Sequence, residues 1–278
     1  MADALKPLAR ARTRLPRSLV HALRRVRTAG YWLLQPLDTL LRPFVPATRR
    51  APRPPLWLRR HAGPIRDFDR AAAELSAVIG ARALLQESDA VLDIGCGCGS
   101  MALEFRNVLG AHGSYVGFDV HRPSIAWCKR HFASDPRFRF ELASLETAWS
   151  RGGEAVSQYR FPAADDSMTF VLAKSVFTHL LEEDARHYLR ELRRVLQEGR
   201  RALVTAFLLG EEGDPRFPYG GPDLWWRMSN RPEAGVAFKR SRFVAEARAA
   251  NLRVVELIRG YWSGDQTGPT LQDIAILG

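Results

Sequence analysis

Cysteine is scarce in this chain of 278 residues: Cys96, Cys98 and Cys128 are the only three. An odd, low count excludes a disulfide framework and fits free thiols in a reducing, cytoplasmic compartment. Long apolar runs are also missing. No uninterrupted stretch reaches the roughly 18–20 residues that span a bilayer. Arginines break every apolar stretch before Ala29, so the first residues lack the apolar core of a secretion signal. Acidic residues are nearly absent from the first part of the chain. Residues 1–62 hold 14 Lys/Arg against Asp3 and Asp38, whereas the remainder holds 27 basic and 28 acidic residues. The net charge of +11 is therefore carried by an N-terminal arm, and the rest is an almost neutral body. Such a body offers no broad basic groove to a polyanion, which argues against a nucleic-acid substrate.

What is present divides the chain in two. Residues 1–61 read as a basic amphipathic arm followed by a Pro/Arg-rich linker, "PATRRAPRPPLWLRR". The arm, over residues 15–60, fits a peripheral helix drawn to an anionic membrane, at the inner face for a cytoplasmic protein. A solvated tail, a nucleic-acid arm and an organelle presequence remain open. Residues 62–278 alternate strand and helix patterns, which predicts an α/β fold with a mostly parallel sheet and helices on both faces. The clearest helix signals are "DFDRAAAELSAVIGARALL" and "EEDARHYLRELRRVLQ", the second with acids first and bases last, as the helix dipole favours. Residues 208–238 show little period. They are rich in Gly, Pro and aromatics, including Phe217, Tyr219, Trp225 and Trp226. A long loop of this kind is expected to cover an acceptor.

"VLDIGCGCGS" (91–100) is a strand, a glycine-rich turn and a helix start, the arrangement of a nucleotide site. Gly95, Gly97 and Gly99 permit positive φ and close approach of a ligand to backbone. "GCGSMA" fits a dinucleotide fingerprint loosely, while "DIGCGCG" fits D-x-G-x-G-x-G at every fixed position. Asp119 ends the second predicted strand, "YVGFDV", where a carboxylate can accept ribose hydroxyls or cap the next helix. Cys96 and Cys98 are too close together, and too few with Cys128, for a tetrahedral thiolate metal site. They read as small fillers, and no metal is expected.

Taken in order, these motifs resemble the class I, Rossmann-like S-adenosylmethionine-dependent methyltransferases over roughly residues 62–278. "VLDIGCGCG" is similar to the family's first motif and Asp119 to its second. "SVFTHL" (175–180), within "YRFPAADDSMTFVLAKSVFTHLLEEDARHYLRELRRVL", resembles a bacterial subgroup that modifies glycans, lipids or other small molecules. The tail "GYWSG…LQDIAIL" resembles that subgroup's closing hairpin. The resemblance implies a doubly wound seven-stranded sheet with an antiparallel last strand. It implies S-adenosylmethionine as cofactor, held by Asp93, Gly95, Cys96, Gly97, Gly99, Asp119, Val120, Ser144, Leu145, Lys174 and Ser175. Ser144 stands where family members often carry an acid after the third strand, and the family's Pro-Gly-Gly turn is "QEGRR" here.

Methyl transfer to a hydroxyl needs a base. His179, after the fourth predicted strand, is the candidate, against a packing role beside the cofactor. His187 reads as a surface residue, and Asp165 and Asp166 as turn residues. No [DNS]-P-P-[YFW] stretch follows the fourth strand, which again favours a small-molecule, glycan or lipid-linked acceptor. An NAD(P)-dependent oxidoreductase and a non-catalytic cofactor-binding module tethered to a membrane are the alternatives. No Tyr-x-x-x-Lys pair supports the first.

Overall fold

A computed structural model describes residues 30–31, 33–40, 53–61, 63–147, 150, 152–264 and 267–278. Most of the basic arm read from the sequence lies outside the described residues. The chain divides into two units, Met1–Ile65 and Arg66–Gly278; the sequence reading set its boundary four residues earlier. In the first unit, α1 (33–40) and α2 (Leu56–His61) are helical. Gln35 Oε1 accepts the Leu56 N–H at 2.8 Å. The Arg59 guanidinium pairs with Asp38 at 2.5 Å and donates to the Pro54 carbonyl at 3.0 Å. No helix among the described residues is long and apolar enough to cross a membrane.

The second unit is built on a seven-stranded sheet in the order β12-β13-β7-β6-β1-β2-β3. The strands are β1 (Ala90–Ile94), β2 (Ser114–Asp119), β3 (Phe138–Leu142), β6 (Met168–Ala173), β7 (Leu196–Ala206), β12 (Val254–Ile258) and β13 (Asp273–Leu277), while β4 (Leu145–Glu146) and β5 (Glu154–Ala155) pair with each other apart from it. Pairs among β3, β2, β1, β6 and β7 are parallel, and β13 runs antiparallel to both β7 and β12. This is the Rossmann-like sheet with an antiparallel last strand that the sequence implied. The four residues Val91–Ile94 are all buried, as a strand covered on both faces requires. Helix α3 (Phe68–Ala81) buries Phe68, Ala72, Leu75, Val78 and Ile79 on one stripe. Helices α4 (Ser100–Phe105) and α5 (Arg122–His131) follow β1 and β2. Helix α6 (Glu182–Val195) links β6 to β7, and α7 (Arg240–Ala249) precedes β12.

The chain winds outward from β1 to β2 and β3, then returns to β6 on the other side of β1. Right-handed crossovers therefore lay helices on opposite faces of the two halves. The carboxyl ends of β1 and β6 form the switch point, where the loops diverge and leave a crevice.

The aromatic stretch after β7 is not one long loop. It folds as a small four-stranded sheet in the order β8-β11-β10-β9, from β8 (Leu208–Leu209), β9 (Tyr219–Gly220), β10 (Leu224–Trp226) and β11 (Val236–Lys239). Strands of two to four residues are too short to show a period-two pattern, which is why the sequence reads as irregular. Phe207, Leu209, Phe217 and Ala237 form its own apolar cluster, joined by Trp225 and Trp262.

Candidate functional site

The crevice is a cavity of about 500 Å³ at the carboxyl ends of β1, β2 and β6. The first wall is the turn after β1. Gly95, Gly97 and Gly99 adopt φ of 67°, 55° and 79°, a region side chains rarely enter. A Cβ on Gly95 would stand 2.6 Å from Val176 Cγ2. The turn is tied to β2 through Asp119: Oδ2 accepts the Gly97 N–H at 2.8 Å and Oδ1 accepts the His121 N–H at 2.7 Å. Asp119 thus fixes the glycine turn and the start of α5, and it lines the cavity as well.

Beneath the turn lies Asp93, 1% exposed. Tyr115 donates its hydroxyl to Asp93 Oδ2 at 2.5 Å, while Oδ1 has no hydrogen-bond partner. Burial pushes this carboxyl up to about 7, opposed by the Tyr115 bond and by the charge of Lys174. The same burial pushes the Lys174 ammonium below its ordinary value. Lys174 lines the cavity and donates to Ser100 Oγ at 3.4 Å. The three thiols are buried and free. Cys96 and Cys128 Sγ lie 3.7 and 3.8 Å from the Gly97 carbonyl oxygen. A Cβ on Gly99 would come 3.1 Å from Cys128 Sγ, so these cysteines pack the underside of the turn. Burial pushes the Cys96 and Cys128 thiols up, away from the reactive thiolate.

The opposite wall follows β6. Ser175 has φ of 61°, a strained value for a serine. Its N–H donates to Thr205 Oγ1 at 2.8 Å, and its hydroxyl donates to Gln272 Oε1 at 3.0 Å. A 3₁₀ turn, Phe177–His179, then carries His179 into the cavity wall. His179 Nδ1 lies 2.7 Å from the Glu233 carbonyl. A carbonyl only accepts, so Nδ1 bears the hydrogen and the lone pair of the neutral ring is on Nε2. Burial lowers the His179 pKa from 6.5, with Arg227 adding to the effect and the Glu233 bond opposing it. The ring is therefore neutral at physiological pH.

The structure brings Gly95, Asp119, Val120, Leu145, Lys174, Ser175 and His179 to one cavity. Asp93, Cys96, Gly97 and Gly99 support the glycine turn without lining it. Ser144 stands apart: it is exposed, and its carbonyl accepts the Glu154 N–H at 3.1 Å. Two residues further on, Glu146 lines the cavity instead. The cavity also takes Asp184 and Tyr188 from α6 and Glu233 from the 208–238 segment, none of them singled out from sequence. Asp184 hides among the acids of a helix first turn, and Glu233 sits in a stretch without period. Phe217, Trp225 and Trp226 do not line the cavity. His187 is half-buried rather than on the surface, with Nε2 2.7 Å from the Tyr159 carbonyl. Asp165 is exposed, and Asp166 takes the left-handed turn conformation at φ 47°. Among the described residues no group of three or more His, Cys, Asp or Glu is arranged to hold a metal ion.

Comparison with known proteins finds a matching family model and similar solved structures. Residues 91–199 match the family model described as a methyltransferase domain. Similar solved structures include an S-adenosylmethionine-dependent methyltransferase from Aquifex aeolicus, at 17% identity and a TM-score of 0.50, covering 81% of this chain and 98% of that one. A 1,6-didemethyltoxoflavin-N1-methyltransferase from Burkholderia thailandensis, solved with its substrate and S-adenosylhomocysteine, has 16% identity and a TM-score of 0.54, over 79% and 82% of the two chains. The [4+2]-cyclase SpnF has 18% identity and a TM-score of 0.50, over 75% and 80%. A cyclase among them makes plain that likeness at this distance establishes the fold alone.

Proposed function

We propose that the chain is a class I S-adenosylmethionine-dependent methyltransferase that methylates a small-molecule acceptor, glycan- or lipid-linked compounds included, in the cavity at the β1/β6 switch point. The observation that carries this reading is the meeting of Gly95, Asp119, Lys174 and His179 around one crevice. The residues present fit the cofactor. The glycine turn bares its backbone where a ligand chain can run. Asp119 ends β2 on the cavity wall, where its carboxylate can accept from a ribose hydroxyl. Val120 and Leu145 line the cavity and would give apolar contact to the nucleoside.

When bound, S-adenosylmethionine supplies a methyl group on a sulfonium, an electrophile already activated. The chain's task is to align the acceptor and exclude water. His179 takes up the acceptor's proton at Nε2, while the Glu233 carbonyl holds the ring orientation through Nδ1–H. The 208–238 segment walls the acceptor side through Glu233. Calorimetric titration tests the cofactor: S-adenosylhomocysteine is expected to bind and NADH to give no heat. A screen of hydroxylated acceptors with wild type and His179→Gln tests the base. The variant is expected to keep cofactor affinity and lose turnover; undiminished turnover sinks the assignment of His179.

A second reading concerns the arm. Leu33, Leu34, Leu37 and Leu40 are all exposed on α1, within the segment that holds nearly all of the excess positive charge. We propose that this face docks on an anionic membrane from the cytoplasmic side, which suits a lipid-linked acceptor. Co-sedimentation with anionic vesicles is expected to fall when Leu33, Leu37 and Leu40 are changed to Asn. Equal sedimentation of both proteins removes the idea.

A further inference from the structure

The closing hairpin sends one side chain behind the cavity wall. Gln272, the residue before β13, offers Oε1 to two hydroxyls: it accepts from Ser175 Oγ at 3.0 Å and from Thr205 Oγ1 at 2.6 Å. Thr205, buried in β7, uses the same oxygen to accept the Ser175 N–H at 2.8 Å. The three side chains thus close a ring of hydrogen bonds at the carboxyl end of β6. Thr205 and Gln272 do not line the cavity themselves. Gln272 is in turn anchored. Its carbonyl accepts the Thr270 hydroxyl at 2.7 Å, and the adjacent Asp273, buried, accepts the Gly260 and Leu208 N–H groups, each at 2.8 Å.

The ring closes on a strained residue. Of the four described non-glycine residues at positive φ, Ser175 is the one that lines the cavity. A serine stays in that region only where its surroundings over-determine it. Much of the wall hangs on it. The Ser175 carbonyl accepts the Thr178 hydroxyl at 3.0 Å, Val176 is laid against Gly95, and the 3₁₀ turn that follows carries His179.

We propose that Gln272 is a positioning residue: through Ser175 Oγ and Thr205 Oγ1 it holds Ser175 in the left-handed turn, and so fixes the wall that runs from Lys174 to His179. "SVFTHL" and "LQDIAIL" then work as one unit, because Ser175 opens the first and Gln272, 97 residues on, stands in the second. The consequence for binding rests on the cavity being the S-adenosylmethionine site; the turn itself does not depend on that reading.

Two measurements on the full chain test this role. In calorimetry with S-adenosylhomocysteine, Gln272→Leu is expected to bind about tenfold more weakly, because a serine without its partners keeps the left-handed turn in about a tenth of the molecules and affinity falls by that fraction. Adding Ser175→Gly is expected to recover most of the loss, since glycine takes positive φ without support. A glutamine that merely stabilised the hairpin would give a loss that the glycine does not repair. That result, or a single variant that binds as wild type does, overturns the role. Thr205→Val cuts the same ring and keeps its shape; it serves where Gln272→Leu folds poorly, with the same rescue expected. In the second measurement, backbone hydrogen exchange over residues 174–180 of the ligand-free protein is expected to be several-fold faster in Gln272→Leu, and unchanged exchange overturns the role. A wild type that binds no S-adenosylhomocysteine overturns the cofactor site, and the exchange rates then decide on Gln272 alone.

Discussion

Asp93→Asn in the cofactor-free protein is expected to change how stability depends on pH. Below about pH 4 both the folded and the unfolded chain carry the Asp93 proton. Between the ordinary 3.8 and about 7 the unfolded chain has released it and the folded chain has not. The folded state then binds more protons, so stability falls as pH rises; above about pH 7 both states are ionised and the loss is complete. At about 1.4 kcal/mol per pH unit, the gap amounts to roughly 4 kcal/mol, of which roughly 2–3 kcal/mol falls between about pH 5 and about pH 8.

Asparagine is neutral throughout, and its carbonyl can still accept the Tyr115 hydroxyl. Its amide brings a constant offset in place of the partnerless Oδ1, so the slope is the readout, not the absolute stability. Asp184 and Asp273, also raised by burial, are present in both proteins and cancel in the difference. Urea unfolding across that pH range is expected to show the variant gaining roughly 2–3 kcal/mol on wild type as pH rises, and thermal unfolding a relative melting shift on the order of 10 °C. Parallel stability curves for the two proteins would refute the argument, because they would mean that Asp93 ionises in the fold as it does in water.

Three further outcomes follow from the geometry. Gly95→Ala combines φ of 67° with a 2.6 Å approach to Val176 Cγ2 and is expected to cost about 1–3 kcal/mol; adding Val176→Ala recovers the contact and not the backbone strain. Glu191 accepts the Phe161 N–H at 2.7 Å and both arms of Arg194 at 2.7 and 2.6 Å, so Glu191→Ala is expected to lose about 2–4 kcal/mol in urea unfolding, and Glu191→Gln clearly less. Because burial lowers the His179 pKa, kcat/KM is expected to reach its plateau below pH 6.5; an acid limb above that value contradicts a buried neutral base.

Much of the sheet was legible because its strands are buried on both faces and its helices are long enough to show a stripe. "AVLDI" became β1 and "SYVGFD" became β2, with Asp119 at the strand end as read. The small sheet was invisible for the opposite reason. Its strands are brief, Trp225 and Trp226 are adjacent and both half-buried, and its apolar cluster of Phe207, Leu209, Phe217 and Ala237 is completed by Trp262 from well beyond the segment. Local pattern reading cannot see strands this short, nor a cluster closed by a tryptophan about 25 residues further on.

The wall beyond β3 shows where motif reading fails in a more instructive way. A motif carries residue types at fixed positions, and it placed Ser144 against the nucleoside. Which side chain meets the cavity depends instead on how the chain leaves the strand. Here Leu145–Glu146 pairs in parallel with Glu154–Ala155, and the Glu154 N–H binds the Ser144 carbonyl. That closure needs Gly153: at φ 115°, a Cβ there would stand 2.3 Å from the Ser144 carbonyl oxygen. The ladder leaves the Ser144 side chain exposed and brings Leu145 and Glu146 to the cavity. A carboxylate is therefore still available at the wall after the third strand, two positions later than the family pattern has it, and a glycine nine residues downstream makes that displacement possible.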